Sequence, residues 1–327
     1  MNVAKIMQQW ELPITPDERA RDRSDELSVL LTGSPQLRAR VSITCFGKTD
    51  GGGAQCHAVL SALFFSHQHG VAYLHQPFVL VDHRECEHLR WTRRWERFLD
   101  LGKGFERLVH GANFVAVSDF VDAPDAHPGP VVLHAQAFHF FANQQPDAYE
   151  EIVAPLRHRF ERRMRWASLR RWLAVVGRSK QFRVAVHIRR GDVSSDNSWS
   201  DRYTSNEVIL RKLDAVAAEL SKKAIPFVVD IYSEGVLEDF TVLSERGYHV
   251  HLGRSVFKDF EAMVTADLLI TAKSSLSCLA GLLSRGIVIY EDAYHKPQSH
   301  WIVADGSGRF DVGLLQARLA AINCPLT

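Results

Sequence analysis

The chain has 327 residues, with 39 Lys and Arg against 38 Asp and Glu, for a formal net charge of +1. That balance argues against a nucleic-acid binder, which shows an excess of basic residues. A composition of 46% hydrophobic and 24% charged residues is that of a soluble globular protein, long enough for two domains of about 150 residues.

The five cysteines, Cys45, Cys56, Cys86, Cys278 and Cys324, fit no zinc-ligand spacing. Their odd number and apolar surroundings suit buried thiols of a reduced protein better than a disulfide framework. No apolar run reaches the length of a membrane span, and no signal-peptide core follows Met1. A full-length chain of this kind is expected to be cytoplasmic.

Residues 1–40 are charged, include Pro13, Pro16 and Pro35, and read as an N-terminal extension with a helix over 17–31 capped by Asp17. Val41 to Phe46 predicts a first strand. Asp50-Gly51-Gly52-Gly53-Ala54-Gln55 follows, and then a helix from Cys56 to His69 with Val59, Leu60, Leu63 and Phe64 on one face. Strand, glycine loop and helix are the opening unit of a Rossmann-like domain. The glycines would let a ligand approach the backbone; a tight turn with no ligand is the plain alternative.

Val71 to His75 predicts a second strand. Residues 88–110 interleave Arg with Trp, a pattern that could contact a sugar or nucleic acid. The spacing of Trp91, Trp95, Phe98 and Leu99 favours an amphipathic helix with its arginines solvated. Val115 to Val117 and Val131 to His134 continue the strands. Residues 147–178 predict a long helix with Arg-rich outer faces, either solvated or drawn peripherally to anionic membrane lipids. The domain boundary is drawn there: an N-terminal Rossmann-like domain over 41–178 and a C-terminal one over 179–327.

The second half opens on Val184-Ala185-Val186-His187, a short β-branched run that reads as a buried parallel strand. It runs straight into Ile188-Arg189-Arg190-Gly191-Asp192. Ligands of open α/β sheets bind at such strand ends, and two guanidiniums there suit a phosphate. A polar loop over 194–205 and a helix over 206–223 come next. Strands are predicted at Pro226 to Tyr232, Tyr248 to Leu252, Leu268 to Thr271 and Gly286 to Tyr290. Helices at 236–246, 259–265 and 278–283 separate them, so the sheet is expected to be parallel with right-handed crossovers.

Ser274, Ser275 and Ser277 open the last of these helices. Hydroxyls beside free helix N–H groups make an anion site; a simple helix cap is the alternative for the serines taken alone. Taken with Arg189 and Arg190, they point to a phosphorylated ligand. The sequence lacks GxxxxGK[ST], GxSxG, HExxH and paired CxxC, and its sixteen histidines form no ligand set. A P-loop enzyme and a metalloenzyme are thereby excluded as readings.

His187-Ile188-Arg189-Arg190-Gly191-Asp192 resembles the HxRRGD motif of the GDP-fucose-dependent fucosyltransferase superfamily, which makes α-1,2-, α-1,6- and protein O-fucose linkages and includes nodulation-type enzymes. Asp50 to Cys56 resembles its glycine-rich loop. Asp259 to Met263, Ala266 to Thr271 and Ser274 to Ser277 resemble its third motif. The likeness spans roughly residues 41–295.

The resemblance implies an α/β glycosyltransferase of GT-B type, two Rossmann-like domains facing each other across a cleft, with the acceptor on the first and the GDP-sugar on the second. It implies inverting, metal-independent transfer of L-fucose from GDP-fucose to a glycan hydroxyl, with no cofactor. Arg189 would contact the β-phosphate and stabilise the departing GDP, and Arg190 would support it or face the acceptor. His187 and Asp259 would address guanine. Ser274, Ser275 and Ser277 would hold phosphate, and Gly52, Gly53 and Gln55 would close over the donor.

Asp196 is the candidate catalytic base, with Asp192 second; an ion pair with a neighbouring arginine is the plainer role for Asp192. Ala54 replaces the Asn of the α-1,2 and O-fucosyl families. Gln55-Cys56-His57 leans to the α-1,6 and nodulation types, whereas Gly191-Asp192 leans to the α-1,2 type, so linkage and acceptor stay open. Another nucleotide sugar on the same scaffold, or a catalytically silent nucleotide- or carbohydrate-binding protein, are the alternatives.

Overall fold

The computed structural model describes residues 23–109, 111–135, 141–172 and 181–322. Internal contacts divide the chain into two units, Met1–Leu156 and Arg157–Thr327. That division falls inside a helix, Glu150–Trp172, whereas the sequence reading places the boundary at 178/179. Residues 173–180 and Asp17, the expected helix cap, lie outside the described residues.

The first unit begins with α1 (Ser24–Gly33) and α2 (Pro35–Arg40). Leu27 and Leu31, one helical turn apart, are fully buried, which ties this part of the N-terminal extension into the core. Ser34 caps α2 by accepting from the Leu37 N–H, and Pro35 occupies the first turn, where its missing N–H costs nothing. The unit then runs β1 (Val41–Thr44), α3 (Gly52–His69), β2 (Ala72–His75), α4 (His88–Leu99), β3 (Glu106–Arg107), β4 (Phe114–Val115), α5 (Val117–Asp122) and β5 (Val131–His134). The strands form one parallel sheet in the order β3-β2-β1-β5-β4. Helix α4 buries Trp91, Trp95 and Leu99, as their spacing predicts.

The helix Glu150–Trp172, α6, precedes the second sheet. That sheet comprises β6 (Phe182–His187), β7 (Phe227–Ser233), β8 (His249–Leu252), β9 (Leu268–Ile270), β10 (Ile287–Glu291) and β11 (Ile302–Ala304). Its helices are α7 (Asn206–Lys222), α8 (Thr241–Ser244), α9 (Val256–Val264), α10 (Ser275–Leu283) and α11 (Val312–Ile322). All pairings are parallel, in the order β11-β10-β9-β6-β7-β8. From the β8 edge, the strands of this unit follow in the order 3-2-1-4-5-6, the doubly wound Rossmann arrangement.

Period-two alternation sets the core. Val184 and Val186 of β6, Val229 and Ile231 of β7 and Leu268 and Ile270 of β9 face Ile209, Leu213 and Leu220 of α7 and Leu315 and Leu319 of α11. Each such side chain contributes about 1.5–3 kcal/mol when fully buried. Strand β11 and helix α11 lie beyond the last strand the sequence predicts. β11 alternates buried Ile302 and Ala304 with exposed Val303, too short a run to stand out as a strand.

Cys45, Cys56 and Cys278 are buried free thiols, and burial pushes the Cys45 thiol up to about 12. No helix among the described residues is long and apolar enough to cross a membrane.

Candidate functional site

In the second sheet the chain lays β7 and β8 on one side of β6, then returns to lay β9, β10 and β11 on the other. The strand order therefore reverses between β6 and β9, and the strand ends open a crevice at that point. Val186 pairs with Ile270, so His187 and Thr271 leave the sheet side by side. The HxRR segment and the serine-rich segment, far apart in sequence, meet at this crevice.

Gly191 has a φ of +80°, and a Cβ there would run into the Glu234 carboxylate. The turn after Arg190 thus requires glycine on two counts. It folds Asp192 back onto Arg189, whose Nε and Nη2 donate to Oδ1 at 3.1 Å and Oδ2 at 2.5 Å. This two-point ion pair fixes the plane of the guanidinium. Arg190 is buried. Its Nη1 donates to the Arg189 carbonyl at 2.9 Å, and its Nη2 to the Thr204 carbonyl at 2.8 Å and Asn206 Oδ1 at 3.2 Å. It also lies over the Tyr203 ring at 4.3 Å. Its donors hold the 192–205 loop, a supporting position.

His187 Nδ1 is buried with no hydrogen-bond partner among the described residues. Burial, and secondarily the charge of Arg189, lower its pKa to about 4, so the ring is neutral near pH 7. A buried polar atom left unpaired costs free energy until a ligand or water meets it. Asp259 sits in the first turn of α9, where a carboxylate is favoured, and pairs with Arg254 Nε at 3.3 Å. Arg254 joins Tyr232, His251 and Arg183 in lining a pocket of about 310 Å³ between α9 and strands β6 to β8. Tyr232 is the register partner of His187, while Arg183 near the start of β6 and Thr265 after α9 carry the lining toward the other end of the strands.

The three serines part company. Ser274 caps α10, its Oγ accepting from the Leu276 N–H at 3.3 Å. Ser277 is fully buried and braces the turn, its Oγ accepting from the Ala272 N–H at 3.1 Å. Ser275 alone faces other loop groups: its N–H donates to the Tyr294 hydroxyl at 3.0 Å, and its Oγ lies 3.1 Å from His295 Nε2. Asp196 is exposed. The Ser194 hydroxyl donates to it at 2.6 Å, which holds its carboxyl below the usual carboxylate range.

In the first unit, Gly52, Gly53 and Gln55 belong to the first turn of α3, not to a loop preceding it. A Cβ on Gly52 would run into the Trp95 ring, so close packing of α4 on α3 accounts for this glycine. Gln55 is buried, and its Nε2 donates to the carbonyls of Asp50 at 2.6 Å and Leu80 at 2.7 Å. It pins the two loops at the head of the sheet.

Several residues of the crevice carry no sequence signal. Tyr294 and His295 lie in the loop after β10. Glu291 ends β10 and forms a buried ion pair with Lys212 of α7. The Thr204 hydroxyl donates to the same carboxylate, and the Thr204 carbonyl receives Arg190. A continuous polar network thus backs the motif. Strand-end position, after the β-branched run 287–289, is the one hint these residues offered.

The two parallel sheets and their covering helices make the chain an α/β protein of two Rossmann-like units. No family model matches the chain, and no curated protein matches it. Among solved structures, it is similar to POFUT1 in complex with GDP at 11% identity, covering 77% of this chain and 98% of that one with a TM-score of 0.43. The fucosyltransferase NodZ from Bradyrhizobium is 12% identical over 77% of this chain and 95% of its own, with a TM-score of 0.42. A glycosyl transferase family 9 protein from Veillonella parvula is 12% identical over 83% and 87%, with a TM-score of 0.41. Likeness at this level carries nothing about substrate.

Proposed function

We propose that the chain is a glycosyltransferase that moves L-fucose from GDP-fucose to a glycan hydroxyl, with inversion and without a metal ion. The observation that carries this reading is the meeting of His187, Arg189 and the N-terminus of α10 at the switch point between β6 and β9. A diphosphate there would lie between the Arg189 guanidinium and the Ser275 N–H and hydroxyl, with Tyr294 giving way or joining as a donor. Guanine would be met by the neutral His187 and by Asp259, whose carboxylate suits the N1–H and N2–H donors of the base.

In a single inverting displacement, the acceptor oxygen attacks the anomeric carbon as the bond to the GDP oxygen breaks. The acceptor proton goes to a base, and negative charge grows on the leaving phosphate. Arg189, kept rigid by Asp192, is a preorganised cation for that charge. Asp192 is engaged by Arg189, so the base role falls to the exposed Asp196.

Calorimetry with GDP, followed by GDP release from GDP-fucose with candidate glycan acceptors in chelator, tests the reading. Binding of GDP and turnover that survives the chelator are expected. Failure of both GDP and GDP-fucose to bind in the millimolar range overturns it.

A further inference from the structure

Two of the three arginines around the crevice are already committed: Arg189 to Asp192 and Arg190 to backbone carbonyls. Arg202 is not. It ends a 3-10 turn, Ser200–Arg202, in the loop between β6 and α7. Its guanidinium carbon stands 4.2 Å from the Trp199 ring centroid and 5.2 Å from that of Tyr294. Its Nε is buried with no acceptor, and no carboxylate pairs with it among the described residues.

The surroundings hold this cation in place. Asn197 donates to the Asp192 carbonyl at 2.9 Å and accepts from the Trp199 N–H at 2.9 Å, tying the loop to the motif turn. Lys273 Nζ donates to the Asp201 carbonyl at 3.0 Å, tying it to the end of β9. Arg202 lines the same small recess as His187 and Arg189 at the ends of β6 and β9. Tyr294, against which it stacks, accepts through its hydroxyl oxygen from the Ser275 N–H at the start of α10.

A guanidinium stacked against aromatic faces loses water from those faces but keeps its N–H edge for a ligand. A buried N–H without an acceptor calls for one. The adjoining helix N-terminus favours an anion as that acceptor. We propose that Arg202, which lies outside the HxRRGD motif, is a diphosphate-binding residue of the second unit and supplies the uncommitted positive charge at the donor's phosphates. The inference deepens the nucleotide-sugar reading and rests on it.

Calorimetry of the full chain with GDP, inorganic pyrophosphate and guanosine tests it. Arg202→Met, which keeps an apolar stem between the rings, should weaken GDP and pyrophosphate by about 10- to 100-fold, the range of a lost charge-assisted hydrogen bond. Guanosine binding should not change. Arg202→Lys should fall between, keeping the charge without the fork; it also decides the matter if Arg202→Met does not fold by circular dichroism. Folded variants that bind GDP and pyrophosphate as the parent does overturn the role of Arg202 and leave the donor reading standing. Arg202-dependent binding of pyrophosphate with no binding of GDP keeps the anion site and removes the nucleotide. A parent protein that binds neither removes both.

Discussion

Lys212 of α7 and Glu291 at the end of β10 form an ion pair at 2.6 Å with both side chains almost wholly out of water. The pair links a helix to a strand on the far side of β6 and β9. Through Thr204 it reaches Arg190. Removing one partner strands a charge in the interior, which costs about 3–5 kcal/mol. Glu291→Gln and Lys212→Met should each lower the unfolding free energy from urea melts by that order, and the double variant should cost less than the two singles added together. Additive losses in a double-mutant cycle would show that the pair does not act as a unit.

Arg189→Ala should lower turnover at least about 100-fold, the effect of deleting one preorganised stabiliser of developing charge. The loss should fall on kcat with GDP-fucose as donor. Steady-state kinetics that leave kcat intact would remove Arg189 from the leaving-group role.

His187 gives the folded state a pH signature. Its pKa falls from 6.5 to about 4 on folding, mainly because burial disfavours the cation. Between those values the unfolded chain binds the proton and the folded one does not, so stability rises with pH across that window. The contribution is present in full above 6.5 and is lost as pH falls toward about 4, up to about 3 kcal/mol in all. Urea melts across this window should show a slope that His187→Gln reduces. An unchanged slope would mean that the ring is hydrated in the folded protein.

Gly52→Ala should destabilise the first unit by about 1–3 kcal/mol through overpacking against Trp95. Trimming the ring in a Gly52→Ala, Trp95→Leu double variant should recover part of the Gly52→Ala loss. A Gly52→Ala variant with full stability and weakened GDP binding would instead return this glycine to a ligand-facing role.

Much of the fold was legible because its signals are local. The alternation that makes β6 and the turn-by-turn spacing of Trp91, Trp95 and Leu99 each lie within a few residues, so each can be read without knowing what lies opposite. The short β3 and β11 escape, because two or three residues cannot display a period, and β4 is met only at Val115. The apolar pattern carries a strand through Val117, whereas Val117 begins α5.

By itself, the sequence determined the class of fold and the segment that carries charge to a strand end. Both follow from chain-local patterns of apolar and polar residues. Only the tertiary structure decided which charges are committed. Arg189, Arg190 and Arg202 look alike in a sequence, but one is paired with Asp192, one is spent on backbone carbonyls, and one is held against Trp199 and Tyr294. Likewise Ser274 and Ser277 serve the turn, while Ser275 meets Tyr294. The reason is physical: whether a charge or hydroxyl is available depends on the partners within about 3 Å, and those partners come from segments that only folding brings together.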